Sequence, residues 1–119
     1  MSQRSTPDTD TFALAVERPG ITVIDFWAGW CRPCRAMAPQ LQRAVEKRPQ
    51  YRFALVDVDA EPALTCRYGV RSIPTLMVIR DGEPIAAQAG VVAADQLVEA
   101  LDRLAAAPAR AAAEQEVGS

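Results

Sequence analysis

Phe12, Ala15 and Val16 stand at helical spacing behind Asp10 and Thr11, residues suited to a helix cap, and Pro19-Gly20 stops the pattern. A short first helix is expected over Thr11 to Arg18. The period then changes. Ile21 to Ala28 is a β-branched and aromatic run, apolar on both faces apart from Thr22 and Asp25, as in a central strand covered on both sides. Met37, Leu41, Ala44 and Val45 return to one face of a helix that begins near Cys31 and ends before Pro49. Pro39 lies inside it and predicts either a kink or a division into two helices.

Arg52 to Asp57 reads as a second buried strand, and Asp59 followed by Pro62 is expected to cap a short helix that stops at Gly69. Thr75 to Arg80 and Pro84 to Ala89 flank the turn dipeptide Asp81-Gly82, so a β-hairpin is expected there. The last helix should run from Ala94 to Ala106, burying Leu97, Val98, Leu101, Leu104 and Ala105, with Asp95 near its positive end and Pro108 beyond it. Residues 1–8 show no period and read as a flexible lead-in or a marginal edge strand. Residues 107–119 are Ala-rich without an apolar face to dock and read as a frayed or disordered tail, leaving 9–106 as the domain. This order of elements predicts an α/β sandwich, a mixed sheet with helices on both faces.

Composition narrows the class further. With 119 residues, 50% of them hydrophobic and 24% charged, the chain has room for one domain with a genuine core. The net charge is -2, and the 13 basic residues, all Arg except Lys47, are scattered without forming a stripe, which argues against nucleic acid as a partner. No run of about eighteen apolar residues suggests a membrane span. The polar stretch Met1 to Asp10 lacks the apolar core of a signal peptide, so a cytoplasmic location is expected. In that compartment three cysteines do not make a structural disulfide framework, and a Cys-x-x-Cys pair is catalytic or metal-binding.

That pair is Trp30-Cys31-Arg32-Pro33-Cys34, placed where a buried strand ends and a helix begins. A thiol at a helix N-terminus faces unpaired N–H groups and the positive end of the dipole, which favours its thiolate. The i, i+3 spacing puts Cys34 about one turn along the same face, within reach for a disulfide. Cys31 is therefore expected to attack a substrate disulfide and Cys34 to resolve the mixed disulfide. Pro33 has no N–H to leave unpaired at a helix start. With no histidine in the chain a Cys-His pair is excluded, and a carboxylate is the expected proton acceptor. Asp25, on an otherwise apolar strand, is the candidate; burial should raise its pKa toward neutrality, whereas the alternative is a structural aspartate satisfied by backbone donors.

A structural zinc site needs four ligands, and the chain adds only Cys66 to the pair, so no metal is expected. Cys66 itself is expected to be a small buried filler, with a regulatory thiol as the alternative. Trp27 reads as a core aromatic, whereas Trp30, at the turn before the cysteines, reads as part of a docking surface.

These residues closely resemble the thioredoxin family: Asp25-Phe26-Trp27-Ala28, Trp30-Cys31-x-Pro33-Cys34, Pro39, Asp57-Val58-Asp59, Tyr68 through Thr75 with Ile73-Pro74-Thr75, Asp81-Gly82 and Gly90, in order over residues 9–106. The resemblance implies the thioredoxin fold, a central mixed sheet of four to five strands flanked by four helices, with a cis Ile73–Pro74 bond. It implies a protein-disulfide reductase without a cofactor beyond the Cys31–Cys34 pair, acting on protein disulfides and recharged by a flavin-dependent thioredoxin reductase. It also implies an apolar docking surface of Trp30, Pro33, Ile73, Pro74, Gly90 and Val91, and a monomer is expected. Two positions depart from the family. Arg32 replaces the usual Gly, and a cation there should favour the thiolate and make the pair more oxidising than a typical thioredoxin at about -270 mV. Leu55 falls where many bacterial members have Lys, which should leave Asp25 harder to ionise. A thioredoxin-fold binding or assembly module, in which the cysteines are dispensable, and a more oxidising exchange enzyme are the alternatives.

Overall fold

The computed structural model describes residues 17–108. Within them the chain runs β1 (Ile21–Trp27), α1 (Arg32–Lys47), β2 (Arg52–Asp57), α2 (Pro62–Arg67), β3 (Thr75–Arg80), β4 (Glu83–Ala89) and α3 (Ala94–Ala106). The expected lead-in over 1–8, most of the first helix and the tail beyond Pro108 lie outside the described residues. The sheet has the order β2-β1-β3-β4, with β1 parallel to β2 and the other two pairs antiparallel. It is the mixed sheet that the element order predicts, and β1 is central to it.

Alternation along β1 sorts the layers, since successive side chains point to opposite faces. Ile21 and Val23, with Leu76 and Val78 of β3, pack against Met37, Leu41 and Ala44 of α1 and Leu97, Val98 and Leu101 of α3. Ile24 and Phe26, with Val56, Met77 and Ile79, pack against Leu64 of α2 on the opposite face. Of the apolar stripes read from the sequence, Met37, Leu41, Ala44, Leu97, Val98 and Leu101 are buried and Val45, Leu104 and Ala105 half-buried, while β2, expected to be a buried strand, lies at the edge of the sheet that the described residues form and buries only Val56. Helix α1 continues through Pro39 without dividing, because its buried face, Cys34, Met37, Leu41 and Ala44, is held by the sheet on both sides of that residue. The hairpin turns as expected: Asp81 and Gly82 have φ of 53° and 87°, the two positive values a tight two-residue turn requires. Glu83 begins β4 one residue earlier than read from Pro84, which lies opposite a register irregularity on the exposed edge of the sheet.

Polar contacts fasten the elements at their ends. Arg52 donates from Nε to Thr22 Oγ1 at 2.9 Å and from Nη2 to the carbonyls of Arg18 and Pro19, fixing the entry to β1. Arg48, after the last turn of α1, makes a bidentate contact with Asp102 of α3, 2.9 and 2.7 Å, and the Tyr51 hydroxyl donates to the same carboxylate at 2.7 Å. These donors pull the Asp102 carboxyl down to about 2. Asp95, in the first turn of α3, pairs with Lys47. Arg80 reaches the other end of α3 and donates to the carbonyls of Leu104 and Ala107.

Helix α3 has Ala93 at its N-cap, which offers no side-chain acceptor. Gln40 of α1 supplies one instead: its Oε1 accepts the Ala94 N–H at 2.8 Å. The capping group that sequence would place next to the helix thus comes from 54 positions away. Gln40→Ala is expected to lower stability by about 1 kcal/mol, the usual worth of a lost cap, in urea unfolding, with no change in active-site thiol reactivity.

Candidate functional site

The chain leaves β1 at Trp27 and must turn before α1 can lie back across the sheet. Ala28 takes the Cys31 N–H on its carbonyl at 3.2 Å, closing that turn. Cys31 has extended backbone, φ -87° and ψ 112°, and is the N-cap of α1. Its Sγ accepts the Cys34 N–H at 3.2 Å. A sulfur here holds the place usually taken by a serine or aspartate oxygen, so a thiolate meets an N–H donor and the positive end of the helix. Pro33 lies in the first turn, where no N–H is required. Cys31 and Cys34 form a disulfide with Cα atoms 5.3 Å apart, and both residues are buried.

Asp25 points to the same face of the sheet as Val23, toward α1, as two-residue alternation requires. It is 4% exposed, and burial pushes its carboxyl up to about 6. Its Oδ1 has no hydrogen-bond partner among the described residues. Across the parallel pair its neighbour is Leu55, so no cation on β2 offsets that burial. A cavity of about 250 Å³ opens here, and Asp25, Trp27, Cys34 and Leu55 share its wall. The carboxyl and the second cysteine therefore face one space.

The docking residues divide by exposure. Trp30 is 67% exposed and Val91 48%, the two exposed large hydrophobic side chains among the described residues. Ile73 is half-buried and packs against the cluster of Ala28, Cys31 and Cys34. The Ile73–Pro74 bond is cis, as the resemblance implies. The Pro74 ring, however, is fully buried, so Pro74 shapes the site through the backbone it turns and not as an apolar contact. Its carbonyl takes the Gly90 N–H at 2.9 Å, joining the two loops that border the cysteines. Arg32 and Pro33 are exposed on the first turn of α1.

Two sequence expectations are corrected. Asp59 does not cap α2, whose N-cap is Glu61 without a side-chain bond; Asp57 Oδ1 takes the Asp59 N–H, and Asp59 Oδ2 accepts the Trp30 indole N–H at 2.8 Å. Asp59 is thus a site residue that holds Trp30, missed because the two lie 29 positions apart. Cys66 is exposed, not a buried filler, because Leu64 alone of α2 turns fully into the core. Trp27 is half-buried, and its indole nitrogen is buried without a partner among the described residues. No group of three or more potential metal ligands occurs among the described residues, and none of their helices is long and apolar enough to cross a membrane.

Burial of Asp25 has a sign that stability reports. A folded-state pKa raised from 3.8 to about 6 means the folded chain holds the proton more tightly than the unfolded one. The contribution is favourable below pH 3.8 and is lost as pH rises through about 6, a difference of about 3 kcal/mol. Asp25→Asn is expected to be more stable than the wild type at pH 8 by up to about that amount, and to flatten the pH dependence between 4 and 7 in urea unfolding.

The family model for thioredoxin matches residues 4–103. The thioredoxin of Staphylococcus aureus is 39% identical over 85 residues, covering 71% of this chain and 82% of the relative. A Streptomyces coelicolor protein bearing the name thioredoxin 2 is 39% identical over 83 residues, covering 70% of this chain but 62% of its own length. Among solved structures, oxidised mitochondrial thioredoxin 3 of Saccharomyces cerevisiae superposes with a TM-score of 0.73 at 30% identity, covering 79% of this chain and 88% of that one. A thioredoxin mutant from Halobacterium salinarum superposes with a TM-score of 0.79 at 27% identity, covering 87% and 90%. With the sheet order, the cis Ile73–Pro74 bond and the Cys31–Cys34 disulfide at the start of a helix, these matches place the chain in the thioredoxin family, as a thiol-disulfide oxidoreductase.

Proposed function

We propose that Cys31 is the attacking thiol, Cys34 the resolving one and Asp25 the proton acceptor, and that the chain works in the reducing direction on protein disulfides. The observation that carries this reading is the Cys34 N–H donated to Cys31 Sγ at the N-cap of α1. It makes Cys31 the sulfur whose negative charge the helix stabilises, and it sets the resolving sulfur one turn away.

In the reduced protein the Cys31 thiolate attacks one sulfur of the substrate disulfide and expels the other as a thiolate, which takes a proton. Cys34 loses its proton toward Asp25, through the cavity both groups line, and attacks Cys31 Sγ. The Cys31–Cys34 disulfide forms as the Cys31–substrate bond breaks, and the second substrate thiolate takes the proton held by Asp25, so that the substrate leaves with two electrons and two protons, one from Cys34 and one from solvent. An acid held at about 6 exchanges protons readily near neutral pH. Trp30, held by Asp59, presents an apolar surface with Val91. The backbone at Ile73 and Gly90 supports main-chain pairing with an extended substrate strand.

The cycle is closed by an external reductant, and the resemblance points to a flavin-dependent thioredoxin reductase acting in the cytoplasm on a monomer. The dithiol itself carries the electrons, so the reading calls for no bound cofactor. We further assign residues 9–106 to the functional domain, and to Arg32 a role in tuning the pair.

Cys31→Ser is expected to abolish insulin disulfide reduction, a loss of at least about a thousandfold, while Cys34→Ser forms a mixed disulfide with substrate that persists on a non-reducing gel. Full activity in Cys31→Ser would overturn the assignment. Arg32→Gly is expected to lower the reduction potential of the pair, read by equilibration against a dithiothreitol buffer.

A further inference from the structure

Segments 29–35, 57–59 and 71–75 meet at the disulfide, where Val58 and Ile73 pack on the cluster of Ala28, Cys31 and Cys34, and Gly90 is bonded to the Pro74 carbonyl. Their acids are Asp57 and Asp59, and their cations are Arg32, Arg35 and Arg71, in a chain whose net charge is -2. All three cations are exposed. The ion pairs among the described residues use Lys47, Arg48, Arg80 and Arg103, so these three are left without an anionic partner there. Arg35 Nη2 donates to the Gly29 carbonyl at 3.1 Å, which keeps that guanidinium beside the turn before the cysteines. Arg32 directly follows Cys31. Arg71 is two residues from Ile73, which packs on the cysteine cluster, so its backbone lies within about 7 Å along the chain. The two acids beside Val58 are engaged locally: Asp59 Oδ2 accepts the Trp30 indole N–H, and Asp57 Oδ1 accepts the Asp59 N–H, whereas the three guanidinium groups face no carboxylate in an ion pair among the described residues.

We propose that this cationic rim selects its substrates: the site favours protein disulfides whose reactive half-cystine is flanked by Asp or Glu and disfavours those flanked by Lys or Arg. The proposal rests on the reductase reading of Cys31 and Cys34 and names the substrate class for that site. A substrate strand lying along the Ile73 backbone places its neighbouring side chains within a Debye length of these guanidinium groups. Carboxylates there meet planar donors suited to a bidentate contact, whereas ammonium groups meet like charge. Trp30 and Val91 contribute affinity of either kind, and the rim decides between them.

The test uses three disulfide peptides of one sequence, differing only in Glu, Gln or Lys beside the half-cystine. The protein is pre-reduced with dithiothreitol, freed of it and followed through a single turnover. Its dithiol is oxidised to the Cys31–Cys34 disulfide while one peptide disulfide gains two electrons and two protons. Each rate is divided by that of dithiothreitol on the same peptide, which removes differences in leaving-group acidity. At 20 mM salt the Glu peptide is expected to outpace the Lys peptide by about tenfold, falling below about threefold at 0.5 M salt. The double variant Arg32→Gln, Arg71→Gln should bring the ratio within about twofold, while Arg103→Gln, on α3, leaves it unchanged. The ratio is insensitive to any change in Cys31 nucleophilicity, which affects all peptides alike, and turnover of the Gln peptide shows each variant to be folded. A wild-type ratio within twofold at low salt, or one that the double variant retains, overturns the rim. If reduced wild-type protein turns over none of the three peptides, the reductase reading fails and the rim falls with it.

Discussion

The Cys34 N–H directed at Cys31 Sγ couples this fold to its chemistry. A helix needs an acceptor at its N-cap, and here the acceptor is the Cys31 sulfur. Whatever fixes the start of α1 therefore also fixes the electrostatics of that sulfur. Met37, Leu41 and Ala44 hold α1 against β1 and β3, and the turn from Trp27 to Cys31 leaves the cap residue extended. The packing of a whole helix face thus stands behind one hydrogen bond.

The polar groups of the molecule are divided between its two ends. Beyond the C-terminal end of α1, Arg48, Tyr51 and Asp102 satisfy one another and join α1 to α3, with Lys47 and Asp95 beside them. At the opposite end Asp25 is buried next to Leu55, with one oxygen unpartnered among the described residues. A carboxylate so placed destabilises the folded chain at neutral pH, and that penalty is what raises its proton affinity. The clamped end keeps the helix in place while the other end carries the unfavourable group.

Local order explains most of what could be read from residues alone. The strands, the hairpin turn at Asp81-Gly82, the apolar stripes of α1 and α3, the position of the Cys pair at a strand-to-helix junction and the burial of Asp25 all follow from periodicity or from single residues with strong backbone preferences. The family pattern added the cis bond at Pro74. Errors arose where a short polar residue had two possible uses: Asp59 beside Pro62 resembles a helix cap, but the cap geometry was not formed and the carboxylate was free to take the Trp30 indole. Cys66 misled because a six-residue helix buries so little of its surface that side-chain polarity does not foretell exposure.

The sequence by itself determined the order of elements and the place of the cysteine pair at a strand-to-helix junction, because both rest on neighbours within a few positions along the chain. Tertiary structure alone decided which distant groups meet: Gln40 with the start of α3, Asp59 with Trp30, Gly90 with the Pro74 carbonyl, and Arg48 with Asp102. Such contacts leave no local signal, since a side chain's hydrogen-bonding capacity is the same whichever partner the packing of helices on the sheet finally brings within reach.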